Sequence, residues 1–456
     1  MSQTGAGRGV RIFVMVWLGH LFSLFGSGVS TFALGIWVYQ QTGSVTQYAL
    51  LSTTAVLPAI VFLPLAGVLI DRWDRRMVMA LGDLAAGLSQ LILAVLYAAG
   101  ALKIWHIYVA ILITSTASAF QWTAFSATVV LLVPRRHLGR ANGMLQMAEA
   151  IARIVAPALG GAVVGMFPLS LMLYLDAVTF LVSFSALLLV RFPRPEASGS
   201  ADPRTAIWRD ATAGWQYIAA RPGLLALLAL FAMVNFNIGI ITVLVTPLVL
   251  AFTTPAMLGS ILSVSGVGLF AGGVLLSIWG GPQRRVHAIL GFQLLIVLSL
   301  ILLGLFPSVP IFFVAGFGCF LSVPFIAGAN QAIWQVKVAA EIQGRVFAIR
   351  RVIAWSTLPL AYLVAGPLAD GVFEPLLQPG GLLADSVGRM IGVGPGYGIA
   401  LLFLMLGLIL LVVTIGSYAY PRLRLAEDEL PDALIPDMSR GDEAALSEAY
   451  GVAASA

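Results

Sequence analysis

Residues Gly67 to Arg76 read GVLIDRWDRR. A long apolar run ends at Ile70, and six of the ten side chains in the quoted stretch are charged or aromatic. An acid, Asp71, stands just beyond the apolar run, and three arginines, Arg72, Arg75 and Arg76, follow within five residues of it. Such a string suits a tight turn on the positively biased face of a membrane, with Gly67 allowing two helices to approach. Taken alone it also reads as an ordinary charged loop between two spans, so its position in the chain has to decide.

Composition points to lipid. Of the 456 residues 60% are hydrophobic and only 10% charged, and the mean hydropathy is +0.98, whereas a soluble globular domain is about 45–50% apolar. A span needs about 20 mainly apolar residues to cross roughly 30 Å of hydrocarbon, so the length accommodates about a dozen spans and no large soluble domain. The single cysteine, Cys319, excludes an intrachain disulfide framework. The four histidines, His20, His106, His137 and His287, are too scattered for a metal cluster. The formal charge of +5 is read as membrane orientation rather than nucleic-acid affinity. No small-residue cleavage site precedes the first apolar run, which is expected to be a retained span.

Apolar stretches fall at about 12–39, 48–70, 77–100, 105–133, 141–166 and 169–190, then at about 224–251, 256–279, 287–305, 310–335, 345–369 and 396–420. The expected fold is therefore an all-α membrane protein with twelve transmembrane helices in two six-helix halves. Its segments are an N-terminal bundle over 1–190, a polar linker over 191–222, a C-terminal bundle over 223–420 and an acidic, disordered tail over 421–456. With the N-terminus in the cytoplasm, 22 of the 25 Lys and Arg residues fall on that face. Lys103 and Arg389 face outward and Arg153 lies within a span, which is the bias the positive-inside rule predicts.

An internal repeat supports the count. A shift of about 205 residues brings Gly139-Arg140 onto Gly344-Arg345, Phe120 onto Phe325, and GVLIDRWDRR close to GVLLSIWGGPQRR at Gly273 to Arg285. Asp71 then falls on Ser277, so the charged turn is complete only in the first copy. With this turn placed after the second span, GVLIDRWDRR resembles the G-x-L-x-D-R-x-x-R-R signature of major facilitator superfamily transporters. The resemblance extends over nearly the whole chain. It implies pseudo-symmetric halves, substrate binding between them near the midplane, and alternating access by rocking. It further implies that Asp71 meets the start of the eleventh helix, around Gln343 to Phe347, as part of a conformational switch with Gly67, Arg72, Arg75 and Arg76.

In the fifth span Gly143, Ala152, Ala156, Pro157, Gly160 and Gly161 follow the spacing of the antiporter pattern G-x8-G-x3-G-P-x2-G-G, with alanine at two glycine positions. Small residues at these spacings also serve ordinary close packing, and Pro157 bends the helix. The N-terminal run WLGHLFSLFGSGVSTFALGIWVYQQTGS is similar to the macrolide-efflux and siderophore-exporter branch of the superfamily.

If the family architecture holds, helices 1, 4, 7 and 10 line the cavity. They offer His20, Ser23, Ser27 and Ser30; Ser115, Ser118 and Trp122; Asn235 and Thr242; and Asn330 and Trp334. These uncharged stripes suit a bulky amphiphile better than a sugar phosphate or dicarboxylate, although each hydroxyl can equally be packing glue. Charges inside spans are costly, so Asp83, Glu149, Arg153 and Asp176 are proton-coupling candidates. Glu149 and Arg153, four apart with the acid first, can also be a structural pair.

The leading expectation is a proton-coupled exporter of amphiphilic compounds in a bacterial cytoplasmic membrane, with both termini cytoplasmic. An importer of a small nutrient and a lysophospholipid-flipping protein stay open as alternatives. The expected partners are an amphiphilic small molecule, a proton and the bilayer, with no nucleic acid, metal or other cofactor, and the chain is expected to act as a monomer. No P-loop and no pairing of nucleophile and base appears in the sequence, so an enzyme is not expected. The glycine run Gly392 to Gly398, GVGPGYG, reads as a turn into the last span.

Overall fold

The computed structural model describes residues 3–70, 73–134, 137–190, 212–282 and 284–429. Among these described residues, twelve helices are long and apolar enough to cross a membrane. They are α1 (Gln3–Thr42), α2 (Val45–Ile70), α3 (Arg75–Ala98), α4 (Ile104–Leu132), α5 (Leu138–Val164), α6 (Leu169–Leu189), α7 (Pro222–Phe252), α8 (Pro255–Trp279), α9 (Arg285–Leu305), α10 (Val309–Lys337), α11 (Ala340–Leu368) and α12 (Tyr397–Ala419). Each coincides with one of the expected apolar stretches. A chain in hydrocarbon finds no water for its N–H and C=O groups, so each run closes its backbone bonds within a helix. Proline in the first turn of α7, α8 and α10 costs no intrahelical bond there.

The two halves repeat each other's packing. In the first, α1 packs on α5 and α6, α3 on α4 and α6, and α2 on α4. In the second, α7 packs on α11 and α12, α9 on α10 and α12, and α8 on α10. The halves meet where α5 lies along α8 and α2 along α11, again a pair related by the repeat. An even number of spans returns the chain to the face where it began, here called the terminal face; the other is the opposite face.

The first half holds two apolar clusters. One, with Phe13, Val16, Ile70, Met79, Val133 and Leu187, lies towards the terminal face. The other, with Leu34, Val38, Leu51, Leu93, Ile107 and Leu173, lies towards the opposite face. Between them sits a polar layer containing buried Asp83, Ser23, Ser30 and Asp176. The second half has one continuous core that also takes in Ile36, Val45 and Ala49 of the first half, so the halves are fused at the opposite face.

The boundaries at the terminal face need correction. Part of the expected linker, 212–219, is helical and docked on the second half: Ile218 is fully buried, and the Tyr217 hydroxyl donates to the Lys337 carbonyl at 3.1 Å. The expected disordered tail is folded over its first residues, in short helices Pro421–Arg424 and Ala426–Glu429. Leu423 and Ala426 are buried, and Glu427 accepts from the Val286 N–H at the start of α9 at 2.9 Å. Two apolar side chains and one capping acid hold this segment, which charge counting alone missed. The remaining parts of linker and tail, 191–211 and 430–456, lie outside the described residues.

Between α11 and α12 a π-helical turn, Ala369–Phe373, leads into short helices Glu374–Leu377 and Gly388–Ile391. The glycine run is the turn into α12, as expected: Gly392, Gly394 and Gly396 all take positive φ, and Gly396 directly precedes the helix.

Candidate transport site

The small residues of α5 pack on two neighbours. The Ala156 side chain faces Gly28 of α1, and Gly160 faces the Phe32 ring. Pro157 and Gly161 face α8 across the seam between the halves, where a Cβ on Gly161 would stand 3.0 Å from the Gly259 Cα. One turn or more towards the terminal face the Ser263 hydroxyl donates to the Ile154 carbonyl at 2.6 Å, and Gly266 packs on Ile154. Gly143, near the terminal face, has open space where a side chain would be. The seam thus ends near Ile154. Beyond it α5 and α8 enclose a crevice of about 430 Å³ lined by Ala150, Arg153, Ile154, Gly266, Phe270 and Ser277, among others.

Asp176 of α6 is fully buried. It accepts from the Ser27 hydroxyl of α1 at 3.2 Å, from the Ser30 hydroxyl through a short bond, and from Thr179 at 3.4 Å. Gly26 of α1 leaves room for it, since a Cβ there would stand 2.8 Å from the Asp176 Oδ1. Among the described residues no cation pairs with Asp176. All its side-chain partners are hydroxyls, which can donate to a carboxylate or accept from a carboxylic acid, so the cluster tolerates either protonation state. Asp83 of α3, also buried, accepts from the Gln121 amide of α4 at 2.7 Å.

Several expected placements are corrected. Glu149 and Arg153 form no ion pair among the described residues, and Arg153 opens onto the crevice instead of folding back one turn. The serine stripe of α1 turns into its own half: Ser23 is buried, Ser27 and Ser30 serve Asp176, and the His20 ring packs on Phe125 at 5.3 Å. Asn330 and Trp334 of α10 are buried and bond each other at 3.0 Å, so neither faces a cavity. Asn235 is half-buried. Ser118 and Trp122 remain exposed, and with Ser126 they form an i, i+4, i+8 stripe on α4.

Of the charged turn, Gly67 ends within α2, whereas Asp71 and Arg72 lie outside the described residues. Asp74 caps α3 by accepting from the Arg76 N–H at 2.9 Å. The Arg76 guanidinium donates to the Leu187 carbonyl at 2.8 Å and to that of Leu188. Arg76 therefore closes the end of α6 within its own half, where a cation favours the last carbonyls. A groove of about 900 Å³ runs between α3 and α4, from Trp73 past Gly82 to Leu112.

Two bundles of six helices with the same internal packing thus meet along a seam of small residues, and the first half buries two acids, Asp83 and Asp176. The model of the Major Facilitator Superfamily matches residues 16–361. The chain belongs to the major facilitator superfamily. It is a multi-pass membrane transporter, not an enzyme. Macrolide efflux protein A of Streptococcus pyogenes is 29% identical over 367 residues, 79% of this chain and 90% of that protein. The protein of the same name from Enterococcus faecalis is 30% identical over 316 residues, 68% of this chain and 97% of that protein. Multidrug efflux pump Tap of Mycolicibacterium fortuitum is 22% identical over 379 residues, 81% and 91% of the two chains. Among solved structures, a bacterial homologue of the human lysosomal transporter Spinster, inward-facing and unoccupied, superposes with a TM-score of 0.67 at 14% identity, covering 94% of this chain and 98% of that one.

Sequence reasoning missed Arg350 of α11, whose guanidinium donates to Gln331 at 2.7 Å and lies over the Trp334 and Phe347 rings. An arginine one and a half turns past Arg345, inside an apolar stretch, was the available signal. It also missed Gln121 as the partner of Asp83, and it assigned no role to Asp370 and Glu374 at the opposite face.

Proposed function

We propose that this facilitator is a proton-coupled exporter of amphiphilic compounds, and that Asp176 carries the coupled proton. The relatives, macrolide and multidrug efflux proteins by name, support the direction and the substrate class. The observation that carries the coupling is the fully buried Asp176, served only by hydroxyls and unpaired with any described cation. A carboxylate at such depth is costly unless it is neutralised, and a proton is the ion its hydroxyl shell accommodates. Asp83, bonded by the Gln121 amide and the Ser183 hydroxyl, is a second candidate.

With both termini in the cytoplasm, as the positive-inside rule favours, the fused opposite face is extracytoplasmic and the protein stands open inward. The exposed stripe of Ser118 and Trp122 then faces incoming substrate. The halves rock about the α5–α8 and α2–α11 contacts to present it outward. Asp71, by family resemblance, closes the cytoplasmic side in that second state.

The test is uptake of macrolides and lipophilic cations into inside-out proteoliposomes with an acid interior. Accumulation that collapses with the gradient supports the proposal. Uptake only in right-side-out vesicles would make the protein an importer.

A further inference from the structure

Asp370, the second residue of the π-helical turn that continues α11, reaches across to the other half. Its carboxylate accepts from the Ser44 hydroxyl at 2.7 Å, from the Val45 N–H at 3.0 Å and from the Thr46 N–H at 2.8 Å. Helix α2 begins at Val45, so these N–H groups have no partner within the helix, and an anion at this end also meets the positive pole of the helix. Ser44 and α2 belong to the first half and Asp370 to the second. The contact is thus a bond between the bodies that rock.

The backbones close in beside it. Gly366, one turn before Asp370, lies so near Thr46 that a Cβ would stand 2.5 Å from the Thr46 Cα and 3.1 Å from the Ala49 side chain. In the same first turn of α2 the Tyr48 hydroxyl donates to the Thr246 hydroxyl of α7 at 3.1 Å, a second link between the halves at this height.

Glu374, four residues beyond Asp370, does the same to a different helix. It accepts from the Gly396 and Ile399 N–H groups at 3.1 and 3.2 Å, capping the start of α12. That contact stays within the second half. The π-turn and the residue that directly follows it therefore place two acids on two helix starts. One anchors the turn to its own half, and the other grips the partner half. π-turns are uncommon and recur at functional positions.

We propose that Asp370 is the latch of the opposite face: it caps α2 while that face is closed and must let go each time the cavity opens there. The topology gives it a counterpart. By family resemblance Asp71 follows the end of α2 and meets the start of α11 on the terminal face, whereas Asp370 follows the end of α11 and meets the start of α2 on the opposite face. Each helix of the α2–α11 pair is then capped by an acid that follows the other, on alternate faces and in alternate states. The proposal rests on the rocking mechanism above, but not on the coupling ion or the substrate.

The experiment is a distance measurement by double electron–electron resonance on the full-length protein in nanodiscs, with Cys319 replaced. Spin labels go at Lys103 and Met390, exposed positions on the opposite face of the two halves. Charge–helix and hydrogen-bond contacts of this kind shift a two-state ratio by on the order of 5- to 30-fold. Asp370→Ala is expected to raise the long-distance population by about that factor, and Ser44→Ala to raise it less. Glu374→Gln, which loosens the same turn without touching α2, is expected to leave the ratio unchanged. Two populations whose ratio ignores Asp370→Ala would overturn the latch, as would an equal shift from Glu374→Gln. One unvarying distance in every variant, with or without substrate, would overturn the latch and the rocking mechanism together.

Discussion

Gly161 of α5 and Gly259 of α8 stand back to back on the seam between the halves: a Cβ on Gly259 would lie 2.9 Å from the Gly161 Cα and closer still to the Pro157 carbonyl oxygen. On α5, Pro157 and Gly161, with Ile154 one turn below, therefore form half of an interface whose other half is Gly259, Ser263 and Gly266 of α8. The obstacle at Gly259 is backbone, which cannot rotate away as a side chain could.

Gly259→Val should prevent this closure, at a cost of about 1–3 kcal/mol typical of overpacking. Transport is expected to fall at least tenfold while the detergent-solubilised protein elutes as a single species. Gly143→Ala, in open space, should leave transport within about twofold. Equal effects of the two would mean that the motif acts through helix stability alone.

Asp176→Asn keeps one oxygen acceptor and puts an N–H donor at the other position, where the Ser27 or Ser30 hydroxyl can accept instead of donate, but it cannot carry a proton. Its thermal midpoint should stay within a few degrees of the parent, since the partners remain bonded. Downhill substrate exchange should persist while gradient-driven accumulation is lost. Loss of both would point to a structural role.

Gln121→Leu takes from Asp83 the amide that bonds it and also packs against Gly82. Removing one partner from a buried polar pair costs about 1–3 kcal/mol. A lower thermal midpoint is expected, with restoration by the double variant Gln121→Leu/Asp83→Leu. An Asp83 that contributed only to transport would leave the midpoint unmoved.

Glu427 caps α9 at Val286, stands 3.9 Å from Arg285, and receives the Lys337 ammonium on its backbone carbonyl. Glu427→Ala should cost about 1 kcal/mol, the usual value of a helix cap. The loss should appear as a lower thermal midpoint with the transport rate at 25 °C retained. An unchanged midpoint would show that Leu423, Ala426 and the Lys337 bond to the residue-427 carbonyl hold the tail without the carboxylate.

Span number, order and pseudo-symmetry were legible because each rests on a local quantity, an apolar run of membrane length or a lysine and arginine count per loop. The seam was half legible. The α5 glycines stand in a recognisable spacing, but Gly259 and Gly266 sit in a run so rich in small residues that nothing marks which of them meets α5. The serine stripe of α1 was legible as a stripe and not by its direction. Whether Ser27 and Ser30 face substrate or Asp176 depends on how α6 docks, which no spacing within α1 encodes. The Glu149–Arg153 pair failed for a related reason: i, i+4 spacing permits contact, but the crevice beside α5 gives Arg153 somewhere else to go. Asp370 was hidden in a segment without a counterpart in the first half, and its partners at Ser44 to Thr46 lie 324–326 residues away.

The most direct test of proton coupling at Asp176 uses a substrate gradient alone. Proteoliposomes are loaded with a transported macrolide and a pH-reporting dye, then diluted into substrate-free buffer with equal pH on both sides. Antiport predicts that the lumen acidifies as substrate leaves, and that Asp176→Asn releases substrate without acidification. Acidification that survives Asp176→Asn, or a lumen that turns alkaline as substrate leaves, would contradict the account.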